Sequence, residues 1–205
     1  MAYQQTDKVK EKLQSKKNAI IDAVKEVLVD ESYSGISIKS IAKKAGIATG
    51  TFYLYFTNKD QLIESVVEEM YIKLLDSIKS ERSKYTNSLD KLKASMEATI
   101  NLFIKEQHIA KILLIQIPAV NHAFNLKLND FEKELIALTK SDLNELAEEG
   151  ILPEQDIQIG AMAFVGSFRQ VIMSWLSEGE PKNIEVAYDT LIQYNLRGLG
   201  LNDKT

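Results

Sequence analysis

Apolar residues recur at intervals of three and four along almost the whole chain, a spacing that predicts helices rather than strands. Ile20, Ile21, Val24, Val27 and Leu28 form a first apolar stripe. Ser37 is placed to cap a short helix over 38–44, and Gly46 to close it. A third helix is expected over 49–55. Asn58 then begins a longer one, with Gln61 at its third position in the manner of a capping box. Leu89, Leu92, Met96, Ile100 and Phe103 mark the next helix, after the turn at 86–88. Residues 109–117 read as a short helix stopped by Pro118, and 123–149 as a long one ending at Gly150. Residues 156–177 follow, then a last helix carrying Ile184, Tyr188, Leu191 and Asn195. The prolines Pro118, Pro153 and Pro181 all fall at these junctions. The expected fold is therefore all-α, with about nine helices. Strand alternation and Asn-Gly or Asp-Gly hairpin turns are absent.

Composition narrows this picture. The chain has 205 residues, room for one large domain or a small and a larger one, and 45% apolar residues, ample for a core. It has no cysteine, which excludes disulfides, thiolate metal sites and cysteine nucleophiles and fits a reducing cytosol. The first residues are polar, without the apolar core of a signal peptide. No run of apolar residues approaches the roughly 20 needed to span a bilayer. A cytoplasmic protein with no membrane partner is expected.

Charge is uneven. Residues 1–60 carry ten Lys/Arg against seven Asp/Glu, a net of +3, in a chain of net charge −4. The remainder is acidic. Between Gly35 and Lys59 stand four lysines and no acidic residue. A basic segment attached to an acidic one is a footprint of nucleic-acid binding, with the acidic part turned away from the polyanion.

The basic segment also has the required shape. Two short helices joined by a turn with Gly46 form a helix-turn-helix pattern, whose second helix must enter the major groove. Thr49, Gly50 and Thr51 present small groups at its start, suited to thymine methyls, base edges and phosphates. Tyr53 and Tyr55 offer phenols to phosphates. Phe52 and Phe56, at i and i+4, face a core and anchor a helix too short to stand alone. Lys39, Lys43, Lys44 and Lys59 add phosphate attraction.

Residues 37–62, SIKSIAKKAGIATGTFYLYFTNKDQL, resemble the DNA-binding domain of the TetR family of bacterial transcriptional regulators. The resemblance covers roughly residues 16–70. It implies an N-terminal three-helix DNA-binding domain over 1–60 and a helical ligand-binding and dimerisation domain over 61–205. It implies that Ser37 bonds a phosphate at the start of the second helix and that Thr49, Gly50 and Thr51 lie against bases. Tyr53, Tyr55 and Lys59 would clamp phosphates, and Lys17 would touch the backbone. Thr49 stands where family members often carry a long basic residue that reaches guanine. Thymine methyls and DNA shape are the expected readout instead.

For the larger segment the resemblance implies an inducer site and a homodimer. The helix over 156–177 is apolar nearly all round and needs cover on two sides. Ala163 and Ser167, with Gly160 and Gly166, would let a partner approach, and the last helix adds Ile184, Ala187, Tyr188 and Leu191. A two-fold dimer with two reading helices predicts a palindromic operator on double-stranded DNA. Phe103, Ile112, Ile115, Gln116, Phe124, Phe131, Phe164, Phe168 and Met173 are candidates to line a pocket for a hydrophobic small-molecule inducer, against ordinary core packing. Arg169, inside an apolar helix, reads either as an anchor for an anionic ligand group or as a partner of an internal carboxylate.

His108 and His122 are the only histidines, and no spacing brings three metal ligands together. Asn121 and His122 read better as polar pocket groups. No cofactor is expected. Phosphate loops, nucleophile elbows and metal motifs are missing, so an enzyme is disfavoured. A ligand-released repressor is the leading expectation, nucleoid-associated when on its operator. A DNA-binding protein switched by a protein partner, or acting architecturally, is the other.

Overall fold

A computed structural model of the chain describes residues 7–30, 33, 35–117 and 122–201. Among the described residues every regular element is helical. The order is α1 Asp7–Asp30, α2 Ile38–Lys44, α3 Thr49–Phe52, α4 Lys59–Arg82, α5 Ser88–Lys105 and α6 Gln107–Lys111. A π-helical segment, Ile112–Gln116, continues α6, and α7 His122–Glu148, α8 Ile157–Glu178 and α9 Ile184–Gly198 follow. The chain divides into two compact units, Met1–Met70 and Tyr71–Thr205. The division falls inside α4, whereas the charge pattern alone sets the boundary near residue 60.

Side-chain caps fix where most helices begin. Ser37, Asn87, Asp156 and Asn183 each accept a backbone N–H from the residue three positions on, at α2, α5, α8 and α9. Each such bond satisfies one of the donors a helix start leaves unpaired. Asn58 does the same for Gln61 at 2.8 Å ahead of α4. The reciprocal bond there differs from the expected box. Gln61 Oε1 accepts from the Thr57 N–H at 2.7 Å, one residue earlier than the cap, because its longer side chain overreaches Asn58.

Two helices depart from their predicted extent. α3 stops at Phe52, and the Leu54 and Tyr55 N–H groups bond three residues back, tightening residues 53–55 into turns. The helix expected over 109–117 starts at Gln107 and changes register midway, its last bond running from the Ile117 N–H to the Ile112 carbonyl at 3.0 Å. Pro118 and Asn121 lie outside the described residues, as does the side chain of His122.

Each unit has its own core. In the first, Ile20, Val24, Leu28, Ile41, Phe52, Phe56, Leu62 and Ile63 are buried. In the second, Leu74, Ile78 and Ala98 pack with Leu102, Leu135 and Leu138, joining α4, α5 and α7. α8 packs against α7, α9, α6 and the π-helical segment. Its inward side, Ala161, Phe164, Phe168, Ile172, Trp175 and Leu176, is buried. By length and composition alone α8 would also suit a membrane span. Its outer side, however, carries Arg169 and Gln170, both exposed, beside Ile159 and Met162.

Candidate nucleic-acid interface and the helical unit

The helix-turn-helix is assembled by short-range contacts. Ser37 and Ser40 cap each other reciprocally, each accepting from the other's backbone N–H at 3.0 and 3.1 Å. Gly46 takes φ 66°, a left-handed conformation that favours glycine. This lets the Ile47 N–H return to the Ala42 carbonyl at 2.9 Å, closing α2 and aiming the chain into α3. Phe52 and Phe56 are buried with their ring centres 5.7 Å apart and tilted by 40°, pinning the four-residue α3 from beneath.

What remains outside is an exposed polar edge. Ser37, Lys39, Lys43, Thr49 and Gly50 are exposed, and Thr51 and Tyr55 are half-buried. Tyr53 is 55% exposed. A Cβ added to Gly50 would meet nothing within 4 Å, and its φ is not positive. Neither packing nor backbone shape within the chain therefore calls for glycine there. Leu54 is 80% exposed between the two tyrosines, an apolar tip that the sequence reading passes over. Its neighbours at 53 and 55 were the visible signal.

Three lysines have partners within the chain. The Lys59 ammonium, expected on a phosphate, donates to the carbonyls of Tyr33 at 3.0 Å and Ile36 at 3.3 Å and lies 4.2 Å from the centre of the Tyr33 ring. The Tyr33 hydroxyl in turn donates to Asp60. With two of its three donors on main-chain carbonyls, Lys59 ties the α1–α2 connection to the start of α4. Lys44 pairs with Glu26 at 2.8 Å. Lys17 lies 5.7 Å from the Phe56 ring centre.

In the helical unit the candidate pocket residues come from neighbouring elements. Phe103 is on α5, Ile112, Ile115 and Gln116 on the π-helical segment, Phe124 and Phe131 on α7, and Phe164, Phe168 and Met173 on α8. Ile112, Phe124, Phe164 and Phe168 are buried, while Phe103, Ile115, Gln116 and Met173 keep partial exposure. Phe131 is occupied by a stacked ring, Tyr71, at 3.9 Å. The Tyr71 hydroxyl donates to Glu134 at 2.6 Å, and burial, with that carboxylate, pushes the phenol pKa well above its usual range. Arg169 is 55% exposed and pairs with Glu132 of α7 at 3.5 Å, so its geometry is that of a peripheral ion pair. Among the described residues no three His, Asp or Glu side chains converge as metal ligands.

A deeply buried ion pair was not singled out by the sequence reading. Asp142, 1% exposed, accepts two parallel bonds from Arg82 at 2.6 Å each, and Arg82 also donates to Ser95 at 3.0 Å. Burial raises the Asp142 carboxyl pKa and the guanidinium pulls it back, burial being the larger effect. The same pairing raises the Arg82 pKa above its ordinary value. The signal was present in the sequence. Leu135, Leu138, Thr139, Asp142 and Leu146 share one helical stripe, and a carboxylate on a core stripe needs a cation.

α8 and α9 show which apolar residues face out. The Ile184 and Leu191 side chains, assigned from sequence to a subunit interface, are buried inside the unit, and Ala187 and Tyr188 are half-buried. The outer apolar positions are Ile159 and Met162 of α8 and Val186 and Tyr194 of α9. Gly160 serves internal packing, since an added Cβ would come within 3.3–3.4 Å of Gln155, Leu199 and Leu143. Gly166 borders open space. Ser167 is likewise turned inward, donating to Asn195 at 2.9 Å.

Comparison with known proteins agrees with this architecture. The family model for bacterial regulatory proteins of the tetR family matches residues 20–66. The fatty acid metabolism regulator protein of Bacillus subtilis is 22% identical over 181 residues, covering 88% of this chain and 93% of its own. The solved structure of the fatty acid degradation regulator FadR from Bacillus halodurans superposes with a TM-score of 0.79 at 26% identity, covering 91% of this chain and 97% of that one. FadR from Bacillus subtilis, solved in complex with stearoyl-CoA, gives a TM-score of 0.77 at 22% identity, with coverages of 88% and 97%. Residues 20–66 thus carry the helix-turn-helix domain of the tetR family of bacterial regulatory proteins, and the all-helical unit that follows shares the fold of these solved regulators.

Proposed function

We propose that this protein is a dimeric repressor that holds a palindromic operator through α3 and is released by an apolar small molecule bound in the helical unit. The observation that carries the reading is the edge from Ser37 to Tyr55: hydroxyls, lysines and an unoccupied Gly50 over a buried Phe52–Phe56 anchor, without one acidic side chain. Thr49, Gly50 and Thr51 meet bases. Ser37, Lys39, Tyr53 and Tyr55 meet phosphates, and Leu54 adds an apolar contact to sugar or thymine methyl. Lys59 supports this edge from behind.

The exposed Ile159, Met162, Val186 and Tyr194 on adjacent helices supply a self-complementary apolar face for a two-fold partner. The inducer site draws on Phe103, Ile115, Gln116 and Met173, with Ile112, Phe124, Phe131, Phe164 and Phe168 behind them; Arg169 stays outside it. Because a relative has been solved with stearoyl-CoA, long-chain acyl-CoA thioesters are the first class to test. α4, which contributes residues to both units, carries the coupling, typically about 1–3 kcal/mol.

A binding-site selection followed by mobility-shift titration tests the reading. The expected result is a palindrome retained against unrelated duplex and released by acyl-CoA. Thr49→Ala shifts base preference at one position per half-site by about 1–3 kcal/mol. Recovery of no motif sinks the operator model. A motif retained at every acyl-CoA concentration points to the protein-partner alternative.

A further inference from the structure

We propose that Lys59, Tyr33 and Asp60 form a clasp that positions Ser37 for its phosphate, with Lys59 acting through the main chain rather than on a phosphate of its own. The proposal rests on the DNA-binding reading above. Within it, the clasp separates the residues that touch DNA from those that hold them in place.

The clasp joins the connection between α1 and α2 to the first two residues of α4. Tyr33 is buried, and its ring centre lies 4.2 Å from the Lys59 ammonium. The Tyr33 carbonyl accepts from the same ammonium at 3.0 Å, and the Tyr33 hydroxyl donates to Asp60. One residue is therefore held at its main chain, at its ring face and at its phenol tip. A cation over a ring face adds attraction to the hydrogen bonds.

A second contact carries this order to Ser37. Lys59 also donates to the Ile36 carbonyl at 3.3 Å. That carbonyl shares a peptide unit with the Ser37 N–H, which donates to Ser40 Oγ at 3.1 Å. A peptide unit is planar, so bonds at both of its ends fix its orientation. The direction in which the Ser37 side chain leaves the backbone is fixed with it. Ser37 is exposed, and its hydroxyl accepts from the Ser40 N–H at 3.0 Å. A connection already ordered in the free protein does not have to be ordered on DNA, which favours binding.

The placement of Lys59 supports a positioning role. The side chain is half-buried, and two of its three donors are on main-chain carbonyls. Charge-assisted bonds of this kind are stronger than neutral ones, and leaving them for a phosphate would undo the clasp. Lys39 and Lys43, exposed on α2, stand differently.

The experiment uses full-length protein and the selected palindrome carrying single methylphosphonate substitutions, which neutralise one phosphate at a time. The phosphate of Ser37 is the one whose substitution weakens wild-type protein but not Ser37→Ala. Lys59→Met and Tyr33→Phe should lose sensitivity at that same phosphate and at no other. Lys59→Met should weaken binding to the unmodified palindrome about tenfold, and by much less when Ser37→Ala is already present. Its log–log salt slope should remain that of wild type. Loss of sensitivity at a different phosphate, with the slope falling by about 0.9, would make Lys59 a direct clamp and overturn the proposal. Uniform weakening with every phosphate still sensed would reduce the clasp to fold stability and overturn it as well. Tyr33→Phe, which removes a single hydroxyl, carries the test if thermal unfolding shows Lys59→Met to be unfolded. If Ser37→Ala still senses every phosphate, the clasp has nothing to position and falls. If wild-type protein retains no palindrome, the DNA-binding reading itself fails.

Discussion

The two units solve opposite problems. The first, up to Met70, hides its phenylalanines and leaves hydroxyls and lysines outside: Phe52 and Phe56 are buried, while Ser37, Lys39 and Thr49 are exposed. The second does the reverse at two places. It buries an ion pair, Arg82 with Asp142, and exposes Ile159, Met162, Val186 and Tyr194. A surface rich in donors and cations suits a polyanion, and an exposed apolar face on paired helices suits a protein surface. The two units differ in the chemistry that each leaves uncovered.

The sharpest way to break this comparison is to attack the buried pair. Arg82→Met leaves the Asp142 carboxyl buried without its cation and should cost about 3–5 kcal/mol of stability in urea unfolding. Adding Asp142→Leu should restore most of it, because a matched apolar pair needs no desolvated charge. A single variant as stable as wild type would mean water reaches Asp142. Next in size, Met162→Asp puts a charge on the exposed α8 face and should weaken self-association by about 2 kcal/mol or more. Sedimentation velocity checks this, and an unchanged dimer would relocate the interface. The smallest effect belongs to the first unit. Ser37→Ala removes one side of the reciprocal cap and should cost about 1 kcal/mol, read as a small shift of the first unit's thermal transition. Operator affinity should drop further than that shift explains if the hydroxyl also meets a phosphate.

Legibility in the sequence followed the range of the interactions. α2 was readable to the residue because its determinants are local: Ser37 at one end, Gly46 at the other, and Ile41 and Ala42 facing inward between them. The early stop of α3 was not, since the carbonyls of Thr51 and Phe52 accept three-residue bonds that no propensity distinguishes from a continuing helix. Lys59 was legible as a cation on a basic segment. Its hold on the Tyr33 and Ile36 carbonyls depends on a contact more than twenty positions back along the chain.

Sequence alone determined the all-helical class, the helix-turn-helix and its exposed hydroxyl-rich edge, because spacing, caps and the glycine turn act within a few residues of one another. Tertiary structure decided which apolar faces are core and which are free. Periodicity placed Ile184 and Leu191 on one stripe apart from Val186 and Tyr194, but only packing shows that the stripe is core, the first pair being buried and the second exposed. It also decided that Arg82 meets Asp142 and that Arg169 meets Glu132 rather than standing alone. Those outcomes depend on how distant helices are rotated against each other, and periodicity within one helix leaves that rotation undetermined.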